Sequence, residues 1–78
     1  MLAATLQQLV RGIVANPDDA TVAVRKTGRG DLLEIRVHPD DLGRVIGKGG
    51  RTATALRAIV TALAGGKPVR VDVVDTDL

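Results

Sequence analysis

Seventy-eight residues with a formal net charge of +2 are enough for one domain with a single thin core, burying only about 60% of its unfolded surface, so self-association is an expected source of added stability. The chain has no cysteine, which excludes a disulfide framework and a thiolate metal site and suits a reducing cytosol. It also has no Phe, Tyr or Trp, which argues against modules that stack bases on aromatic rings, such as RNA-recognition motifs and most oligonucleotide-binding barrels.

The amino terminus reaches its first basic residue only at Arg11, the wrong order for a secretory signal. No apolar run approaches the roughly 18 residues of a membrane span, so a cytoplasmic protein without membrane insertion is expected. Leu2, Leu6, Leu9, Val10, Ile13 and Val14 recur at helical spacing and predict an amphipathic first helix. It should stop near Asn16, because the residue before Pro17 is pushed out of the α region. From Thr21 to Lys26 the pattern alternates, with Val22 and Val24 on one side of a predicted strand. Gly28-Arg29-Gly30 reads as a hairpin turn, after which Leu33, Ile35 and Val37 resume the alternation in a second strand ending at His38.

Pro39 suits the first turn of a second, short helix, whose positive end Asp40 and Asp41 would complement and whose apolar stripe is Leu42, Val45 and Ile46. That helix ends at Gly47. Ala53, Leu56, Ile59, Val60 and Leu63 mark one face of a longer third helix, closed by Gly65-Gly66 and Pro68. Val69, Val71 and Val73 then alternate in a third strand, and a frayed tail is expected over 75–78. The order α-β-β-α-α-β is that of an α+β domain whose three-stranded sheet has helices packed on one face.

Between the second and third helices runs Val45-Ile46-Gly47-Lys48-Gly49-Gly50-Arg51. Glycine removes the Cβ that would hold a ligand off the backbone and makes positive φ inexpensive. The helix that follows presents unpaired N–H groups and the positive end of its dipole, so an anion beside Lys48 and Gly49 meets several favourable contributions together. A tight corner with no ligand is the competing explanation, since glycine ends helices for purely conformational reasons. The charge pattern favours a ligand. From Arg44 to Arg70 the chain carries Arg44, Lys48, Arg51, Arg57, Lys67 and Arg70 and no acidic residue, the footprint expected for a phosphate-bearing partner.

Other chemistry fails on spacing or number. Gly43 and Gly47-Lys48 are separated by three residues where a nucleotide-binding P-loop has four, and the magnesium-binding hydroxyl is missing. His38 is the only histidine and cannot make a two-histidine metal site, although it could border a binding groove. Asp40 and Asp41 are explained by their place in a first helical turn. No nucleophile, base and pocket combine into an enzyme, and no cofactor or metal is expected.

The V-I-G-x-x-G run at residues 45–50, the amphipathic helix after it and the element order resemble the KH domain family in its type II arrangement. A single KH domain would account for residues 1–78, with a core over about 2–75. The resemblance implies binding of single-stranded RNA, with about four nucleotides of backbone clamped beside an aliphatic groove. Gly47, Lys48, Gly49 and Gly50 would form the clamp, and Val45 and Ile46 would line the groove. Charge and helical position add Arg44, Arg51 and Arg57. Ala53 departs from the family, many members having a larger aliphatic residue there, which implies a shallower groove or core. The resemblance further implies low sequence selectivity and a post-transcriptional or RNA-chaperone-like role. The alternative it implies is an assembly subunit, acting as a homodimer or paired with a larger KH-containing protein linked to cell division and envelope growth. Leu32, Ala55, Ala58 and Ala62 are the apolar residues that would serve it. Among nucleic acids DNA is the runner-up, disfavoured because the glycine loop suits single strands better than a major groove.

Overall fold

The computed structural model describes residues 2–74, and the tail predicted over 75–78 lies outside them. The elements are α1 (Leu2–Arg11), β1 (Thr21–Thr27), β2 (Gly30–Arg36), α2 (Leu42–Ile46), α3 (Arg51–Leu63) and β3 (Val69–Val73). Single 3-10 turns stand at Pro17–Asp19, Pro39–Asp41 and Lys48–Gly50. The sheet has the order β1-β2-β3. β1 and β2 form an antiparallel hairpin with Thr27 opposite Gly30, and β2 pairs in parallel with β3, Leu33 opposite Val71. A parallel neighbour requires a long crossover, and that crossover carries α2, the glycine loop and α3.

Alternation decides which side of the sheet is covered. Leu33, Ile35, Val37 and Val71 are buried and meet Leu6 and Val10 of α1, Val45 of α2, and Leu56 and Val60 of α3 in one core. Each fully buried aliphatic side chain of this kind contributes about 1.5–3 kcal/mol. Among the described residues no helix is long and apolar enough to cross a membrane.

Several local expectations are corrected. The first helix ends at Arg11, not near Asn16, because the chain leaves it through Gly12 and Ala15 and Asn16 bond elsewhere. The hairpin turn is Gly28-Arg29 alone, closed by Thr27 Oγ1 donating to the Gly30 carbonyl at 2.7 Å. Gly30 already belongs to β2, and a Cβ there would stand 2.9 Å from Pro68 Cβ, so glycine is what lets the start of β3 approach. β2 stops at Arg36, short of the predicted His38, although Val37 remains in the core. Pro39–Asp41 is a 3-10 turn and not the opening of an α-helix. In β1 only Val22 is half-buried, and Val24, expected to share its covered side, is 47% exposed. Ile59 and Leu63, expected on the inner face of α3, are 40% and 55% exposed.

Asp41 is also corrected. It does precede α2 as its N-cap residue but makes no side-chain cap there; it is 1% exposed, and its carboxylate accepts from the Ala15 N–H at 3.0 Å, the Asn16 N–H at 2.9 Å and the Asn16 side-chain amide at 3.1 Å. Arg44 Nε lies 3.5 Å away. Burial pulls the Asp41 pKa upward, but the Ala15 and Asn16 donors and Arg44 outweigh it, and the carboxyl titrates below its ordinary range. This one side chain ties the loop after α1 to the turn that starts α2.

A carboxyl whose pKa is depressed by folding contributes stability above its unfolded value, about 3.9, and loses that contribution as pH falls through the folded value. Asp41→Ala is expected to lower the melting temperature at neutral pH by roughly 5–10 °C, because three donors lose a charged acceptor. Thermal unfolding followed by circular dichroism should show this deficit shrinking from pH 4 downward.

Candidate nucleic-acid interface

The chain reverses between α2 and α3 within four residues. Gly47 closes α2 with φ 77° and ψ 167°, its N–H donating to the Gly43 carbonyl at 2.8 Å. Gly49 has φ 64° and Gly50, which caps α3, has φ 76°. Side chains rarely adopt such angles, so glycine is required conformationally at each. Space divides the three further. A Cβ on Gly47 would stand 2.7 Å from Thr52 Cβ, whereas Cβ atoms on Gly49 and Gly50 would meet nothing within 4 Å. Gly47 faces inward against α3; Gly49 and Gly50 face open space.

The first hydrogen-bonded turn after α2 closes at Gly50. Gly50 donates to the Gly47 carbonyl at 3.1 Å and Arg51 to the Lys48 carbonyl. The N–H groups of Lys48 and Gly49 precede that first closed turn, in the position where helix starts leave donors for a ligand. Lys48, Gly49 and Arg51 are exposed. Arg44 is also exposed, its charge partly balanced by Asp41.

Ile46 and Val45 separate. Ile46 is 40% exposed beside the loop, while Val45 is fully buried; Val45 supports α2 from the core and offers no open wall. Arg57 lies six residues, about 9 Å, along α3 from Arg51. Its Nε donates to the Val71 carbonyl at 3.1 Å, which fixes it at the outer edge of β3. There a hollow of about 310 Å³ is lined by Arg57, Thr61, Val69, Arg70, Val71 and Asp72. Loop and hollow thus flank α3, one at its start and one along its β3 side. Ala53 is buried.

Sequence reasoning missed Thr52, Thr61 and Asp72, and it had Arg70 only as part of the basic run. Thr61 follows Arg57 by four residues and so shares its helix side, which was a usable signal. The contact of Thr52 with Gly47 had none, because it is made only when the corner folds.

His38 is structural here. Its Nδ1 accepts from the Asp40 N–H at 3.1 Å, capping the 3-10 turn. Among the described residues no group of three or more His, Cys, Asp or Glu could hold a metal ion.

The two spatial classes of glycine respond differently to a methyl group. Gly47→Ala adds a steric clash to backbone strain and should destabilise by about 3 kcal/mol or more, whereas Gly49→Ala adds the strain alone, about 1–2 kcal/mol. Urea unfolding of the two variants separates the effects.

The family model described as "KhpA/KhpB, KH domain" matches residues 3–74. Similar chains include the "RNA-binding protein KhpA" of Streptomyces coelicolor, 62% identical over 77 residues that cover 99% of this chain and 96% of that one. The protein of the same name from Leifsonia xyli is 61% identical over 96% of this chain and 99% of its own. A more distant one from Halalkalibacterium halodurans is 43% identical over 90% and 95%. With its glycine corner between α2 and α3 and its β2–β3 parallel pair, the chain belongs to the KhpA/KhpB family of KH domains.

Proposed function

We propose that this protein is a cytoplasmic binder of single-stranded RNA that holds the sugar-phosphate backbone at residues 47–50. The carrying observation is the glycine corner, with the Lys48 and Gly49 amides ahead of the first hydrogen-bonded turn of the following helix and Lys48 and Arg51 exposed around them. Main-chain N–H groups recognise phosphate oxygens, which every nucleotide presents, so selectivity among sequences is low. Such a binder acts after transcription on many RNAs, as an RNA chaperone does. From the loop the strand runs past Ile46 and along α3, where Arg57 and Arg70 beside β3 supply further positive charge. The names of the relatives, all RNA-binding proteins, support the same ligand. Unpaired strands fit better than duplex DNA because a side-chain-free loop gives backbone contact to a single strand and supplies none of the side chains that would read base edges in a major groove.

A second reading, assembly into a dimer, has its own observation. Ala55, Ala58, Ile59, Ala62 and Leu63 are all exposed on α3, and at 100° per residue they form one continuous apolar stripe that adjoins the buried side of Ala53, Leu56 and Val60. A second copy, or another KH-containing chain offering a matching helix, would bury it. RNA binding and assembly use different parts of α3 and are compatible.

Lys48→Asp combined with Gly49→Asp should abolish crosslinking to a uridine oligonucleotide while circular dichroism remains that of a folded domain. Undiminished crosslinking by the folded variant would reject the clamp. For the wild type, three neutralised phosphates predict a slope of log affinity against log salt of about −2. Leu63→Glu should weaken any dimer at least about tenfold in sedimentation experiments without changing crosslinking per chain.

A further inference from the structure

The side of α3 that faces β3 holds one arginine in a fixed attitude. Arg57 Nε donates to the Val71 carbonyl at 3.1 Å. That carbonyl faces away from β2, because the positions here that turn toward β2 are the even-numbered ones: the Pro68 carbonyl accepts from the Asp31 N–H at 3.2 Å, and the Val74 N–H donates to the Ile35 carbonyl at 2.9 Å. The bond uses one donor of a planar guanidinium and sets its plane against the outer edge of the strand. Among the described residues no carboxylate lies within 4.0 Å of Arg57, so the fork of its two terminal nitrogens is unspent.

Arg57 lines the hollow of about 310 Å³ together with Thr61, Val69 and Val71. Arg70 and Asp72 alternate to the other face of the sheet and meet the hollow only across the strand edge. Among the described residues Asp72 has no cation within 4.0 Å. These neighbours suit a base better than a second phosphate. A phosphate takes donors on every side, and two valines and a free carboxylate supply none; a flat neutral ring rests on aliphatic carbon and needs a few directed bonds at its edge. The fork selects that edge, since two parallel N–H groups match two adjacent acceptors. Adenine and uracil present no such pair, whereas guanine presents O6 and N7. Cytosine's pair, O2 and N3, begins beside the bond to ribose, while guanine's reaches farther from the sugar and enters more readily a hollow set to the side of the backbone path.

We propose that Arg57 reads a guanine, through O6 and N7, in the strand held by the glycine loop, with the base resting in the hollow beside β3. The inference rests on the single-stranded RNA reading and adds one selected base to it. Arg57 stands about 9 Å along α3 from Arg51, within reach of the roughly four nucleotides that a KH domain holds. One base read beside a sequence-blind clamp leaves overall selectivity low.

The test uses the full chain and fluorescein-labelled RNA heptamers, either uridine throughout or uridine with one central guanosine, adenosine, cytidine or 7-deazaguanosine, which has carbon in place of N7. In anisotropy titrations the guanosine heptamer should bind roughly tenfold more tightly than the uridine one, and adenosine and cytidine should bring no such gain. The 7-deazaguanosine heptamer should forfeit most of it. Arg57→Lys keeps the charge but loses the fork, so the ratio of guanosine to uridine affinity should fall close to one, and removing N7 should then make no further difference. Amide shifts peculiar to the guanosine heptamer should fall at Arg57, Thr61 and Val71. Equal binding of all heptamers, a preference for cytidine, or a ratio that survives in Arg57→Lys would each overturn the proposal. The clamp is judged separately, by the loss of the uridine heptamer in Lys48→Asp with Gly49→Asp. Should the wild type bind no heptamer, both readings fall.

Discussion

A four-residue reversal between two helices governs this domain. Without a long side chain at Gly47, Gly49 or Gly50, the chain can turn at positive φ and bring α3 back over the sheet in time to deliver β3 beside β2. The constraint that permits the crossover also strips the corner of bulk. Gly47 is pressed against Thr52 from inside, so the corner cannot retreat into the core, and Gly49 and Gly50 are left facing outward. Proposed function and folding requirement therefore fall on the same residues, one glycine serving packing and two serving access.

The corner is positioned from the other end of α2 by Asp41. Its carboxylate gathers donors from Ala15 and Asn16, thereby holding the segment after α1 against the turn that launches α2. α2 is only five residues long, too short to persist without tertiary contacts, so its orientation is inherited from that buried acceptor and from Val45 in the core. A short helix anchored at both ends is a stiff arm for the loop it carries.

How much of this was legible in the sequence depends on whether a residue's environment is local. The alternation of Leu33, Ile35 and Val37, and of Val69, Val71 and Val73, reports a one-sided sheet directly, and the glycine run marks the corner without reference to anything distant. Asp41 was misread because beside Pro39 and Asp40 it looks like any acidic first turn; its partners lie 25 and 26 residues away. The end of α1 was misplaced for the same reason, since Asp41 competes for the amides that would have extended the pattern toward Asn16. For α3 the difficulty was abundance: apolar residues cover both flanks, so periodicity alone could not say whether Ile59 and Leu63 or Ala53 and Leu56 meet the sheet. Val24 resembles Val22 in sequence and differs only because α1 is too short to cover it.

Both outer strands of the sheet are interrupted by a long polar side chain from the helix layer, Gln7 at the Val22 N–H and Arg57 at the Val71 carbonyl. An unbroken border of main-chain donors and acceptors would let identical copies stack strand upon strand into a cross-β fibre as concentration rises. Here each border meets a plug after at most a few residues. Pairing of another strand across Val22 of β1 or Val71 of β3 would first require breaking a bond the helices already hold.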